Sequence, residues 1–572
     1  MANLFNQTTQ KGKTKMTEPI YGIDLGTTYS CVSGFDENGK NIVYASAEGD
    51  NTTPSVVLFD GQTARVGAAA KNEAVVSPDK TVMCVKRRIG TNRTFRPGTR
   101  HEFRSETISA LILRKLMKDA WDEHGVNVRR AIITCPAYFG INEREATKRA
   151  GQLAGLDVVA IINEPSAAAF AYGVTNPSAE KHVLVYDLGG GTFDATVIRI
   201  TNSEIEVKAT GGDSHLGGVD WDEKIMDSFI DSLAAQYHLD VSEIRNDAEF
   251  MADLRQKAEQ NKRRLTDNER VRLSSRYKGH QHTMEMTRSE FESKTASLLQ
   301  QTITHCGLVV ENAGLSPSSL DDVLLVGGSS IMPQVMAAVK KWYGRDPKMF
   351  NPNEAVARGA ALYAQQMAIK EVVEKDTGLA LFDDNNDVMT LSGVADQLSN
   401  RAQNEILTLT GGAPLEKKRL IKITNVCSKS FGNRCLDNDL LRTKGIRKLI
   451  VSNLIIRNTP LPVTRESEFL TIEEGQTSVR FITMENDSID SVTDPEDSVQ
   501  IGEAVMDGLP PGRPADRPLK VQYTLNEQGL LSIVFTDVGT GRTVRTSLQT
   551  THVISDEEMR EARRVIDSYT IE

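Results

Sequence analysis

At 572 residues with a well-mixed net charge of −10, the chain is too long for one hydrophobic core and reads as three to four domains. No basic excess marks a nucleic-acid surface, and no apolar run approaches the roughly 18 residues that span a membrane, so neither partner is expected. Six scattered cysteines without a CxxC pair suit a reducing, cytoplasmic compartment; Cys427 and Cys435 are the one close pair, and a metal there would need further ligands.

In chain order, residues 1–18 are polar with lysines, which predicts a disordered leader rather than a secretory signal. Tyr21-Gly-Ile-Asp-Leu-Gly-Thr-Thr-Tyr-Ser30 then places an aspartate and a glycine turn after an apolar strand, and further strands run to about residue 60. Lys86 follows an apolar patch; it either faces a phosphate cleft or belongs to a surface basic cluster. Apolar spacing predicts a helix over 107–124, a strand closed by Pro136, a helix over 142–153 and a strand over 158–162. That strand ends at Asn163-Glu164-Pro165, before an alanine-rich helix over 166–172. Glu164 stands either where α/β folds place ligand groups or as a helix-start carboxylate.

Val183-Leu-Val-Tyr-Asp-Leu-Gly-Gly-Gly-Thr-Phe-Asp194 repeats the first turn: β-branched strand, Asp187, glycines, Thr192, and a second carboxylate on the returning strand. Amides at such a turn cradle phosphate oxygens, and flanking carboxylates hold a magnesium ion through its waters. Alone, the stretch also fits an ordinary glycine-rich hairpin; its recurrence points to duplicated α/β lobes facing one cleft. Val323-Leu-Leu-Val-Gly-Gly-Ser-Ser330 is a third such turn, and no Walker A lysine follows any of them.

Residues 211–220 read as another glycine-rich loop. In the helical region after it, Glu259, Lys262, Arg263 and Thr266 share one face, suited to a ribose and a purine or else simply solvated. Asn351–Glu354 opens an alanine-rich helix to about residue 374. Val394, Leu398, Ala402 and Ile406 predict one short amphipathic helix. From Leu420 onward the pattern is all-β, until a capping box, Ser555-Asp-Glu-Glu558, opens a final helix to about residue 569.

Taken together, these motifs resemble the 70-kDa heat-shock, DnaK-type chaperones. The match is dense over 20–369 and looser over 420–548, through Asn163-Glu-Pro-Ser-Ala-Ala-Ala169, His215-Leu-Gly-Gly218, Arg457-Asn-Thr-Pro-Leu-Pro462 and Gln476-Thr-Ser-Val-Arg-Phe481. The resemblance implies an α/β actin-like ATPase domain of duplicated ribonuclease-H-like lobes (19–376), a linker with an insertion (377–420), a β-sandwich peptide-binding domain (421–550) and a helical stub of a lid (551–572). By the same resemblance, Gly26, Thr27, Thr28 and Tyr29 form one phosphate turn, and Gly190, Gly191 and Thr192 the other. Asp24, Asp187 and Asp194 surround Mg2+, K+ and the attacking water. Lys86 and Glu164 complete catalysis. Glu259, Lys262, Arg263, Thr266, Gly328 and Ser329 match the adenosine pocket, and Pro136 and Arg144 an interdomain relay. Phe469, Val479, Phe481 and Leu436 match the peptide cleft, although Val479 and Phe481 equally suit a β-core.

The implied function is an ATP-dependent chaperone whose ATP binding and hydrolysis control its affinity for extended apolar peptides, assisted by a J-domain co-chaperone and a nucleotide-exchange factor. An ATP-dependent scaffold for one partner, an actin-like filament protein and a sugar kinase are the alternatives. Several positions depart from the pattern: Ile331 for a usual arginine, Val219, Asn353, Asn433, a basic linker at 417–423 and an insertion at 437–448. Ile331 would leave Arg263 to stack on an aliphatic side chain, and a lidless cleft should release peptide quickly.

Overall fold

The computed structural model describes residues 17–176, 180–379, 391–412, 420–547 and 552–572. The leader up to residue 16 and the basic residues 417–419 of the linker lie outside the described residues.

Two sheets share one topology. In the first lobe the strands run Asn41–Tyr44, Tyr29–Phe35, Ile20–Asp24, Arg130–Cys135, Asp157–Asn163. In the second they run Glu204–Asp213, Phe193–Thr201, Glu180–Leu188, Asp322–Val326, Lys348–Met349. Each lobe pairs its first three strands antiparallel and its last two parallel. The repeated aspartate–glycine turns thus fall at equivalent corners, each after the first strand of its lobe. Those first strands are buried on both faces, as continuous apolar runs require: Val183 to Tyr186 are fully buried.

The alanine-rich helices Glu164–Thr175 and Ala355–Thr377 pack against each other between the lobes. Their composition reflects close approach. A Cβ at Gly359 would overlap the Ala167 carbonyl, and one at Gly22 the backbone of Ala360 and Ala361. The second lobe carries a helical extension whose Trp221, Phe229 and Leu254 belong to one continuous core with the sheet residues Leu184, Tyr186 and Leu325.

The C-terminal domain is a sandwich of a five-stranded and a four-stranded sheet. Strand Pro518–Leu525 alternates inward and outward residues, the period of a half-buried strand. Phe481 and Phe535 stack at 4.0 Å in its core. The entering segment Lys422–Thr424 pairs in parallel with the edge strand Glu204–Asp213 of the second lobe, so the linker completes that sheet. Gln366 brackets it, accepting from the Ile421 N–H and donating to the Ile421 carbonyl, both at 2.8 Å.

Three expectations need correction. Residues 211–213 belong to strand Glu204–Asp213 and residues 218–220 to helix Gly218–Tyr237, so the loop shrinks to the residues between them. Stretch 391–409 is broken, with helix Asn400–Leu409 capped anew by Ser399; the side-chain oxygen of Ser399 accepts from the Ala402 N–H and stops the periodic pattern from forming one helix. The insertion at 437–448 holds a helix, Asn438–Lys444, started by Asp437 accepting from two N–H groups, so the tail is not all-β. A hairpin, Arg270–Tyr277 with His280–Thr287, was not foreseen; its Lys278-Gly279 turn is legible in the sequence.

The final helix, Asp556–Asp567, has its expected capping box and packs on the first lobe, where Ile566 is fully buried. Among the described residues no helix is long and apolar enough to cross a membrane.

Candidate functional site

The two glycine turns touch. A Cβ at Gly191 would overlap the Thr27 side chain, and one at Gly190 the Thr28 side chain, so only glycine permits this approach. Ser55 donates its hydroxyl to the Gly26 carbonyl at 2.8 Å and its N–H to the Thr28 carbonyl at 2.8 Å, fixing the first turn. The second is fixed by Gly189 N–H to Thr192 O at 3.0 Å and by N–H groups of Gly218 and Val219, which donate to Gly189 and Gly190. Arg87 reaches across, donating to the Gly191 carbonyl at 2.7 Å and pairing with Asp220 at 2.6 Å.

Beneath the turns lies a buried floor of ionisable side chains. Strand register sets Asp187 opposite Asp194, and Thr134 donates to Asp24 at 2.9 Å. Lys86 is 4% exposed and pairs with Glu164 at 2.5 Å, which removes the surface-cluster alternative. Glu164 is the first residue of its helix, supplied by the end of strand Asp157–Asn163. Burial and the Glu164 charge push the Asp24 carboxyl up to about 6, against the pull of Lys86. Burial, Glu164 and the neighbouring aspartates push Asp187 and Asp194 well above the carboxylate range. Burial alone would lower the Lys86 ammonium, but Glu164 and Asp24 raise it, so it stays charged.

Four carboxyl groups crowd one lysine and resist ionising together, and both buried oxygens of Asp194 lack a hydrogen-bond partner, as does Thr27 Oγ1. Buried polar atoms are costly unless a ligand completes them. The residues therefore fit a magnesium ion with phosphate. Among the described residues no three such side chains are arranged to ligate a metal directly, so the aspartates would act through its waters.

Where the resemblance places adenosine, Tyr29 donates to Glu259 at 3.1 Å and accepts from Lys71 at 2.7 Å and Arg263 at 2.8 Å. Lys71 also pairs with Glu259 at 2.5 Å, closing the cleft from lobe to lobe. Lys262 donates to the Gly218 carbonyl and pairs with Asp222. Gly328 and Ser329 begin the short helix after strand Asp322–Val326, with Ser329 buried, and Thr266 lies at the end of the helix that carries Glu259. Arg263 lies over the Tyr29 ring at 5.1 Å rather than on Ile331, which is 39% exposed; a nearby phenol outcompetes an aliphatic partner for a guanidinium. Sequence reasoning missed Lys71 and Arg87: the first stands in an unremarkable alanine stretch, and the second was hidden beside Lys86.

From this floor a polar chain leads outward. Pro136 ends the strand before Tyr138, and Arg144 donates to the Ala137 and Phe139 carbonyls and to Asn163 Oδ1 at 2.6 Å. Asn163 and Ser166 both donate to Asn425 Oδ1, at 3.4 and 3.0 Å, where the linker enters the sandwich. In the sandwich, Phe469, Val479 and Phe481 share one core, Phe481 being buried, whereas Leu436 is partly exposed and pairs across strands with Leu449. Asn433 is buried and accepts from Tyr523 at 3.0 Å. Burial pushes both the Cys427 and Cys435 thiols up to about 11, which makes neither a ready nucleophile.

A cleft lined by two glycine turns, four carboxyl groups and a buried lysine between duplicated lobes, joined by a docked strand to a β-sandwich, defines the class of a two-domain nucleotide-hydrolysing machine. The family model described as Hsp70 protein matches residues 20–98, 93–409 and 443–571, and the chain belongs to that family. The chaperone protein DnaK of Thermotoga neapolitana is 34% identical over 550 residues, 95% of this chain and 82% of its own. That of Thermosipho melanesiensis is 32% identical over 547 residues, again 95% and 82%. The protein is thus an ATP-dependent chaperone, an actin-like ATPase followed by a β-sandwich, that works with ATP, ADP and magnesium.

Proposed function

We propose that the two glycine turns, Gly26 to Tyr29 and Gly190 to Thr192, cradle the β- and γ-phosphates of ATP, and that Asp24, Asp187 and Asp194 hold the metal waters, with K+ as a further counter-ion. The observation that carries this reading is the pair of unpartnered, buried Asp194 oxygens, aligned across strands with Asp187. Magnesium when bound supplies charge neutralisation for phosphoryl transfer. Lys86 stabilises charge on the transferring group and orients water, and Glu164 holds Lys86 in place. Glu259, Lys262, Arg263, Thr266, Gly328 and Ser329 bind the nucleoside, with Tyr29 and Lys71 closing over it.

Nucleotide state reaches the sandwich by two routes. One is the linker strand on the second-lobe sheet, which follows any rotation of that lobe. The other is Pro136, Arg144, Asn163 and Asn425. Each ligand biases one shared equilibrium, so ATP and peptide affect each other reciprocally. Extended apolar segments of unfolded proteins bind the sandwich near Phe469, Val479, Phe481 and Leu436, in the cytoplasm, with a J-domain co-chaperone and an exchange factor setting the pace. Steady-state ATP turnover with and without unfolded apolar peptides, with Lys86→Ala as control, tests this. Slow turnover that rises with peptide and vanishes in the variant is expected. Turnover indifferent to every peptide overturns the coupling and favours a scaffold for one dedicated partner.

A further inference from the structure

The sandwich caps a helix of the first lobe. Helix Ile141–Ala154 has Gly140 at its N-cap, which offers no side chain. The Ile141 N–H instead donates at 3.2 Å to Glu485 Oε2, from sandwich strand Ser478–Asn486. A Cβ at Gly140 would overlap that carboxylate, so the glycine admits Glu485 from the other domain. Glu485 is 9% exposed, and a second carboxylate, Glu143 in the first turn of the same helix, interacts with it.

The cations nearby are engaged elsewhere. Lys429 binds both oxygens of Asp487 at 2.8 Å, and Arg457 donates to the Thr210 carbonyl and meets Asp487 at 3.6 Å. Arg144 is directed to Ala137, Phe139 and Asn163. A buried carboxyl, Glu485, thus lies within the field of the half-buried Glu143 and of Asp487 at the domain junction, and Lys429, which draws both glutamates down, is itself bound to Asp487. A helix N-terminus favours an anion, and backbone N–H groups serve both carboxyls, Ile141 for Glu485 and Gly140 and Glu143 for Glu143, yet burial outweighs them at each.

We propose that docking of the sandwich on the first lobe takes up one proton at Glu485, which docking buries against Gly140 and Ile141 beside Glu143, so that alkalinisation releases the sandwich from the ATPase domain. Burial first, then the Glu143 charge, pushes the docked Glu485 carboxyl up to about 7, and burial also raises Glu143. In the undocked chain Glu485 faces water and returns toward the ordinary value of 4.5. The docked state therefore binds the extra proton. Docking is strongest at low pH, weakens as pH rises from the ordinary value toward 7, and levels off above it; between pH 6 and pH 8 the docking constant falls about tenfold.

This inference rests on the proposed nucleotide-driven docking cycle. The test uses the full chain with saturating ATP at pH 6, 7 and 8. Small-angle scattering reads the docked fraction, and release of a fluorescent extended apolar peptide reads its consequence. The wild type is expected to lose docking across the series, whereas Glu485→Gln, which keeps an acceptor for Ile141 without needing a proton, gives a flat profile. An equal profile in wild type and variant, or a flat wild type, overturns the proton linkage while peptide-stimulated turnover at pH 7 stays intact. Loss of that turnover in the wild type instead overturns the docking cycle and the linkage with it.

Discussion

The nucleotide cleft and the sandwich interior are both buried, yet they are built in opposite ways. In the cleft, Asp194 and Thr27 hold polar atoms out of water without partners. In the sandwich, Phe481 and Phe535 pack on one another and Tyr523 donates to Asn433 Oδ1; Asn433 Nδ2 and Asp537 Oδ1 are unpartnered there, but they are scattered rather than gathered around one lysine. A site for a small charged ligand is preformed, because its charges need fixed dipoles at the moment of reaction. A site for an apolar chain leaves no such mark, since side chains that would meet a peptide also pack together without it.

The largest expected break in this contrast is Lys86→Ala, which should lower single-turnover hydrolysis about 10²–10³-fold with ATP still bound, measured with radiolabelled ATP. Asp194→Asn should lower turnover about 10²-fold yet raise the Tm of the nucleotide-free protein by about 2 °C, because burial and Glu164 hold this carboxyl protonated where the unfolded chain would ionise it, a penalty asparagine does not carry; calorimetry with and without nucleotide checks both signs. In the sandwich, Phe481→Ala should cost about 3–5 kcal/mol of that domain's stability by denaturant unfolding, as core truncation does. Val479→Ala sharpens the comparison: weaker peptide binding with little loss of stability would mark a cleft residue, whereas lost stability with unchanged binding would mark core. Tyr29→Phe, the smallest effect, should speed nucleotide release about fivefold, since one hydroxyl joins Lys71, Glu259 and Arg263; stopped-flow release of a fluorescent nucleotide measures it.

Much of this was legible along the chain. Each aspartate turn with the strand before it, and the Ser555 capping box, is built from residues a few positions apart, so local spacing reports them. The helix carrying Glu259 to Thr266 was legible as a face, but whether that face met water or ligand was not. The broken stretch at 391–409 and the helix at 438–444 were missed because short side-chain caps at Ser399 and Asp437 outweigh periodicity.

By itself, the sequence determined the duplicated α/β lobes, the glycine turns and the acidic and basic residue types of the cleft, because these depend on local backbone geometry and on spacing within one element. Tertiary structure alone decided that Lys86 is buried against Glu164 rather than solvated, that Lys71 and Arg87 bridge the lobes, and that the linker joins a sheet edge. It also decided that Phe481 lies in a core and that Glu485 caps a helix of another domain. Such contacts join residues tens to hundreds of positions apart, and burial, which sets the strength of every charge in them, is a property of the packed whole.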